Sequence, residues 1–420
     1  MPIYPGMNFE LTAQGRLQIS TFSNGIAKPA VGTTVCITPR GSDNVIEEII
    51  TDSSGQSPII DLPAPPLDFS MNPETQQRPY SEYDVTVLLS DNQKIKVEGV
   101  QILPDSMAYQ DVNLNPLPSA SDPTEIIAIQ EHTLWENYPP KIPEEDVKPL
   151  PDASGYVVLS EPVIPEFIIV HTGVPDARAK NYWVPFKDYI KNVASCEIYA
   201  TWPTETIKAN VLAIISFTLN RVYTEWYRGK GKDFTITNST AYDHAFTYGR
   251  NIFEPISLIV DDIFTNYVTK PDIKQPLFTQ YCDGKNVSCP DWMTQWGSKS
   301  LGDQGYNAID ILKNFYGYDI YLTQAKSVAG VPQSYSGPAL RVGSTGPAVR
   351  TIQEQLNKIS NNYPAINKVA VNGTFDESTR KAVETFQKIF KLAADGIVGP
   401  ATWYQISNIY VAVTRMAEGI

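Results

Sequence analysis

Cysteine and histidine are scarce in this 420-residue chain, which has four of the first and three of the second. Four cysteines are too few for a small fold held together by disulfides. The chain also lacks an apolar run long enough to span a bilayer, a basic stripe typical of nucleic-acid binding, and the features of a secretory signal at its start. We therefore expect no nucleic-acid partner and no membrane span. The 42% of apolar residues is ordinary for a globular protein of two to four domains.

Negative charge is concentrated in the first third of the chain. Residues 1–155 hold 8 Lys and Arg against 22 Asp and Glu, whereas residues 340–420 hold 9 against 6. Without its first third the chain would be near neutral with a slightly basic tail, which suits a polyanionic substrate. Ordinary solubility charge on an acidic domain explains the same distribution equally well.

Four regions follow from the residue patterns. Short alternating apolar runs between turn residues predict an all-β sandwich at residues 1–115. Frequent proline predicts an extended, protease-accessible linker at 116–155, with an amphipathic segment, 125–136, that predicts a short helix. Residues 156–330 mix both periodicities and predict an α+β core, and residues 338–410 predict a small three-helix domain. The fold class expected is therefore multidomain.

The core region predicts individual elements. Residues 166–173 and 276–282 are typical of buried strands. Helices are expected at 185–196 and 203–228, the second with proline in its first turn and Gly229 after its end. Further helices are expected at 253–269 and 305–317.

Glu197 is the candidate catalytic residue. It closes one apolar helix six residues before Pro203, which opens the next helix. A carboxyl at such a junction can be partly desolvated and kept protonated near pH 7, as the general acid of glycosidic-bond cleavage must be. The alternative is a solvated glutamate at a helix junction.

The C-terminal region closely resembles the peptidoglycan-binding type 1 domain. The resemblance spans about 70 residues, from Leu340 through the motif DGIVGP at 395–400 to Trp403. It implies a cell-wall anchor. The positions that match the family motif are Gly373, Phe386, Asp395, Gly396, Gly399 and Trp403.

The central region resembles the stage II sporulation protein D family of peptidoglycan lytic transglycosylases. Three segments carry the resemblance: VASCEIYATWPTETIKANVLA at 193–213, QYCDGKNVSC at 280–289, and WMTQWGSKSLGDQGYNAIDILKNFYG at 292–317. It implies that Glu197 is the catalytic acid, without a cofactor. Lys208 matches the family's lysine and is a candidate for contacting substrate, with a solvated lysine on the helix surface as the alternative. Tyr281, Gln295 and Trp296 are weaker candidates for sugar stacking and hydrogen bonding, with ordinary packing as the alternative.

The order of the regions resembles the clostridial-type spore cortex-lytic enzymes. That resemblance implies a zymogen whose N-terminal prodomain is removed by a subtilisin-like germination protease, with a cut near Ser154 to Val157. The substrate would be spore cortex peptidoglycan, and the protein would lie in the cortex or coat region, outside the spore core.

Departures from the family keep alternatives open. Ile215 stands where the family has an arginine, and the loop from Cys282 to Cys289 replaces a Ser/Gly-rich one. These two cysteines could form a disulfide or remain thiols. As weaker candidates, they could bind zinc together with His244, although no fourth ligand is evident. The functional alternatives are an N-acetylmuramoyl-L-alanine amidase, for which three histidines are few, and a non-catalytic peptidoglycan-binding enhancer of amidases.

Overall fold

The computed structural model describes residues 12–23, 25–89, 93–115, 123–150, 161–335 and 337–417. Its architecture is multidomain and mixed α/β, with a helical C-terminal region. Among the described residues, no helix is both long and apolar enough to cross a membrane. The expected processing site at 154–157 lies outside the described residues.

The N-terminal region is built from strands and one helical turn. Buried residues alternate with more exposed ones along Thr34–Pro39 and the first part of Ala13–Phe22, as the period-2 pattern predicts, whereas Ser81–Leu88 is buried along most of its length. Its elements are β1 (Ala13–Phe22), β2 (Thr34–Pro39), β3 (Glu47–Ile50), β4 (Ile60–Ala64), α1 (Asp68–Met71), β5 (Ser81–Leu88), β6 (Lys94–Ile102) and β7 (Met107–Asn113).

The segment predicted as a short helix at 125–136 is not helical. Residues Thr124–Ala128 form strand β8, which pairs in parallel with Lys94–Glu98 of β6 and completes a five-stranded sheet of order β3-β2-β5-β6-β8. Isoleucine at 126 and 127 favours a strand once an open sheet edge is available. Residues 133–135 form a turn, and no helix follows it before residue 150.

The central region contains short strands around a buried helix. Its elements are β9 (Phe167–His171), β10 (Asn181–Pro185), α2 (Phe186–Glu197), α3 (Thr204–Tyr223), β11 (Ile236–Thr237), β12 (Ile252–Phe253), α4 (Glu254–Ile263), β13 (Asn266–Thr269), β14 (Tyr281–Cys282), β15 (Met293–Thr294), α5 (Gln295–Asp303), α6 (Ala308–Tyr316) and β16 (Tyr321–Gln324). Helix α3 is buried on nearly all sides, so it is the centre of this region.

Three predicted boundaries in this region were wrong. Helix α3 ends at Tyr223 rather than at 228, because Glu225 adopts a left-handed conformation with φ of 48°. Helix α4 ends at Ile263 rather than at 269. Residues Asn266–Thr269, which include the β-branched Val268 and Thr269, form a strand that pairs with β16. The expected strand at 276–282 is buried, but only its last two residues pair, with β15.

The N-terminal and central regions share a sheet. Strand β12 pairs with β7, giving a four-stranded sheet of order β12-β7-β1-β4. The side chain of Asn251 reinforces this junction by bonding both backbone groups of Gln101, at 3.1 and 2.9 Å. The self-contained sandwich and the exact domain boundaries therefore stay predictions.

The C-terminal region has the three predicted helices, α7 (Pro347–Ile359), α8 (Glu377–Ile389) and α9 (Pro400–Ala417). Phe386 and Trp403 are buried in its core. Gly373 and Gly396 have φ of 74° and 70°, values that favour glycine, and Asp395 accepts a hydrogen bond from Gln387 at 2.9 Å. Gly399 has open space around its Cα. The matched residues thus build turns and core, and any contact they make with cell wall remains a prediction.

Candidate active site

Glu197 lies at the last position of α2, where the apolar face of the helix draws its side chain into the protein. Only 3% of the residue is exposed. Its carboxylate accepts hydrogen bonds from the hydroxyl of Tyr281 and from the backbone N–H of Ala245, the latter at 2.7 Å. The Nε2 of Gln295 donates to the backbone carbonyl of Glu197 at 3.0 Å. Two fixed donors therefore orient this carboxyl group.

Burial raises the pKa of Glu197 above its ordinary value. The positive charge of Lys141 and the hydrogen bonds from Tyr281 and Ala245 all oppose this rise, because they favour the ionised carboxylate. Desolvation is the largest of these effects, so the pKa stays raised. A raised pKa is the property required of a general acid near neutral pH.

A small cavity of about 50 Å³ opens onto the carboxyl group. Typical ligand pockets are roughly 300–1,000 Å³. Part of its lining comes from the loop that follows Tyr281 and part from the segment predicted as a linker. The residues that line the cavity are Thr133, Glu136, Tyr138, Pro139, Lys141, Glu197, Thr240, Tyr281, Cys282, Asp283, Asn286, Val287 and Gln295. The cavity is too small for a sugar chain while that segment is in place.

The segment predicted as a linker is not free at residues 139–148, which we call the strap, although most of these residues are exposed. Gln280 accepts from the backbone N–H of Glu144 and donates to the carbonyl of Ile142, both at 2.8 Å. Gln275 likewise accepts from the backbone N–H of Lys148 and donates to its carbonyl, with both hydrogen bonds at 2.9 Å. Extended proline-rich chain has unpaired backbone groups, and these glutamines satisfy them.

A buried ion pair anchors the strap. Arg221, which is fully buried on α3, donates to both carboxylate oxygens of Glu144 at 3.0 and 2.6 Å and to Asp243 at 2.8 Å. The Arg221 guanidinium lowers the pKa of Glu144. Such a two-point pair between planar groups is strong and geometrically specific. The position of the strap is therefore defined by the core of the central region.

Lys141 extends from the strap toward the site. Its ammonium group donates to the backbone carbonyls of Asp243 and of Thr240, the latter at 3.3 Å, and lies 5.0 Å from the centre of the Tyr281 ring. Burial lowers the pKa of Lys141, and the nearby carboxylate of Glu197 opposes this. Lys141 was absent from the predicted site because it lies 56 residues before Glu197, in a segment whose composition indicated only a linker.

The structure brings together two of the four residues expected to contact substrate. Tyr281 and Gln295 line the cavity and bond to Glu197. Trp296 packs instead against Trp202, with ring centres 4.9 Å apart. Lys208 is half-buried on α3 and does not line the cavity. The substrate contacts of all four remain predictions.

The weak zinc candidates do not form a site. Cys282 and Cys289 are joined in a disulfide, which removes both thiolates. His244 is buried between Phe217 and Tyr281, and its Nδ1 lies 3.0 Å from the hydroxyl of Tyr189. Among the described residues, no three His, Cys, Asp or Glu side chains are grouped to hold a metal. Of the three alternatives for the cysteines, the disulfide is the one observed.

Comparisons with known proteins identify the C-terminal domain. Residues 345–406 match the family model of a peptidoglycan binding domain. Over 77 residues the chain is 42% identical to the zinc D-Ala-D-Ala carboxypeptidase of Streptomyces albus G, covering 18% of this chain and 28% of that protein. The chain thus spans about a quarter of the length of this relative.

Two solved structures are similar to parts of the chain. The SleB N-terminal domain is 26% identical, with 18% of this chain and 99% of that chain covered and a TM-score of 0.16. The (S)-allantoin synthase is 14% identical, with 24% and 41% covered and a TM-score of 0.18. The family match at 345–406 shows that the chain contains a peptidoglycan-binding domain.

Proposed function

We propose that this protein is a latent lytic transglycosylase of spore cortex peptidoglycan, similar to the clostridial cortex-lytic enzyme SleC. The observation that carries the proposal is the buried carboxyl group of Glu197, oriented by two donors and with a raised pKa. A peptidoglycan-binding domain in the same chain supports the class of substrate. We place the protein in the cortex or coat region, outside the spore core.

The proposed chemistry needs one carboxyl group. Protonated Glu197 donates its proton to the glycosidic oxygen between MurNAc and GlcNAc as that bond breaks. The resulting carboxylate then accepts the proton of the C6 hydroxyl of the muramic residue while that oxygen bonds to C1. The product is a 1,6-anhydro sugar, and Glu197 is protonated again at the end.

The strap supports the proposal of latency in two ways. Its Pro139 and Lys141, with residues 133–138 just before it, help to enclose the cavity at Glu197, whose volume of about 50 Å³ excludes a glycan chain. It also places the charge of Lys141 near Glu197, which favours the ionised form that cannot act as an acid. The strap precedes the expected cut near 154–157, so release of the N-terminal part by a subtilisin-like protease would remove both obstacles.

The test is a product analysis. The full chain is nicked with subtilisin and incubated with cortex peptidoglycan, and the fragments are identified by mass spectrometry. We expect anhydro-muramic ends from the wild type and from Asp262→Asn, an exposed carboxyl on α4 that stays in the processed chain. Glu197→Gln should yield none.

Other products would support the alternatives. Release of the stem peptide at the lactyl junction, without new glycan ends, would instead indicate an amidase. Cortex binding without soluble fragments would indicate an enhancer of other enzymes. Anhydro ends that persist in Glu197→Gln would remove Glu197 from the mechanism.

A further inference from the structure

A second and larger cavity, of about 450 Å³, lies where the N-terminal, central and peptidoglycan-binding regions meet. Its volume falls within the range of roughly 300–1,000 Å³ found for ligand pockets. The N-terminal region contributes lining residues that include Ser20 and Asn113, and the central region contributes Trp183 and Asp188. The peptidoglycan-binding domain contributes Lys391. It does not share a lining residue with the cavity at Glu197.

Large aromatic side chains are open to this cavity. Trp183 on the edge strand β10 is 68% exposed, and Tyr248 is 44% exposed. Tyr248 is held in place by stacking on Tyr182, with ring centres 4.4 Å apart and planes 15° from parallel. Exposed aromatic faces at a concave site mark binding surfaces, because burying them against a ligand is favourable.

Two buried polar atoms on the walls lack partners. The Oγ of Ser20 and the Nε of Arg250 have no hydrogen-bond partner in the part of the chain that the structure describes, although both residues are more than nine-tenths buried. An unpaired buried polar group is costly, so such groups are rare in proteins. Both atoms are themselves shut off from solvent, so a ligand would reach them only after neighbouring side chains shift.

We propose that this cavity binds a glycan strand of peptidoglycan in the unprocessed chain. An N-acetylated sugar offers a flat C–H face for Trp183 or Tyr248, and hydroxyl groups and acetamide oxygens for the polar residues on the walls. Part of the wall comes from the domain that matches the peptidoglycan-binding family, which supports this class of ligand. The inference deepens the proposed function and rests on its substrate class.

This glycan site would exist only before processing. Ser20 and Asn113 lie N-terminal to the expected cut near 154–157, so loss of the N-terminal part removes one wall of the cavity. An ion pair at 2.5 Å joins Asp111 of the N-terminal region to Lys391 of the peptidoglycan-binding domain, and both residues line the cavity. The latent protein would thus be held on its substrate by a site that its own activation dismantles.

The test uses the full-length chain carrying Glu197→Gln, so that no bond is cleaved. Peptide-free glycan strands, prepared from cortex with an amidase, are titrated by isothermal calorimetry. Trp183→Ala and Tyr248→Ala should each weaken binding about tenfold, the effect of losing one aromatic contact. The matched control is Tyr318→Ala, which removes an aromatic residue that is 85% exposed and lies outside the cavity; it should leave the affinity unchanged.

Four outcomes would overturn the inference. Two are the absence of any binding to glycan strands and binding of stem peptides alone. The others are equal affinity in Trp183→Ala, Tyr248→Ala and the parent, and full affinity after subtilisin nicking and removal of the N-terminal fragment. The product analysis described above is independent of this titration. If anhydro ends form but the cavity does not bind glycan strands, only the proposal of a glycan site is rejected. If glycan strands bind but no anhydro ends form, only the proposal of a lytic transglycosylase is rejected.

Discussion

Arg221 on α3 holds both carboxylate oxygens of Glu144 in the strap, at 3.0 and 2.6 Å, across 77 residues of sequence. The guanidinium is fully buried and also contacts Asp243 at 2.8 Å. A buried arginine has few ways to satisfy five donors, so the strap completes the structure of the core. The cover over Glu197 is thereby tied to the stability of the central region.

Breaking this pair should loosen the strap. We expect Glu144→Gln to lower the free energy of unfolding by about 3 kcal/mol, since one partner of a buried ion pair is removed. Subtilisin should then cut within residues 139–148 of the full chain faster than in the wild type. The control is Glu145→Gln, an exposed neighbour, which should behave as the wild type. Equal cutting rates in both variants would show that the pair does not hold the strap.

Tyr281 should act as a positioning residue for Glu197. Tyr281→Phe removes the hydroxyl that orients the carboxylate, and we expect turnover by the nicked enzyme to fall between roughly tenfold and a hundredfold. The same change raises the pKa of Glu197, because that hydrogen bond favours the ionised form. The alkaline limb of the pH–rate profile should therefore move to higher pH.

The control for this change is Tyr189→Phe, which removes a buried hydroxyl that contacts His244 and not Glu197. It should leave the pH–rate profile in place. If both variants lost turnover alike with unmoved profiles, Tyr281 would have only a packing role.

Lys141 should lower the pKa of Glu197 in the latent chain. Lys141→Met removes the positive charge, so we expect the pKa of the carboxyl group to rise further. The measurement is a ¹³C NMR titration of labelled glutamate in the full chain. Lys285→Met, at a neighbouring loop, is the control. An unchanged titration in Lys141→Met would mean that the electrostatic part of latency is absent.

Stability should depend on pH through Glu197. Because its pKa is raised in the folded chain, the native state binds more protons than the unfolded state, and stability is lost as pH rises from the unfolded pKa through the folded one. Glu197→Gln lacks this penalty. The difference in Tm between the variant and the wild type should therefore increase in favour of the variant as pH is raised from about 4.5 to neutrality. A difference independent of pH would indicate an unshifted carboxyl.

The disulfide should stabilise the loop beside Glu197. It closes a short loop, from Cys282 to Cys289, and its loss should cost about 2.5 kcal/mol by the chain-entropy relation. We expect the double change Cys282→Ser, Cys289→Ser to lower both Tm and turnover, because Asp283, Asn286 and Val287 of this loop line the cavity. Cys36→Ser, at a free cysteine on β2, provides the comparison. Unaltered turnover in the double variant would show that catalysis does not depend on the conformation of this loop.

Local patterns predicted the elements that carry Glu197. The apolar spacing of α2 and the proline before α3 placed the residue at a helix end, and the structure has α2 end there. The segment 125–136 shows the limit of such reasoning. Its amphipathic pattern suits a helix or an edge strand. Because β6 has an open edge, residues 124–128 pair with it and form a strand.

The surroundings of the carboxyl group could not be predicted in the same way. Tyr281 lies 84 residues from Glu197 and Ala245 lies 48 residues away. No spacing rule connects residues at such distances, because their contact depends on how separate elements pack. The strap was missed for the same reason, since its prolines indicate an extended chain whether it is free or docked.

The amino-acid sequence alone determined the peptidoglycan-binding domain at 345–406 and the helix end at which Glu197 lies, since both follow from local residue spacing. The tertiary structure decided that the carboxyl group is buried, that Lys141 approaches it, and that the strap covers it. Burial and charge proximity depend on which distant segments come together, and desolvation in that packed setting is what raises the pKa of Glu197.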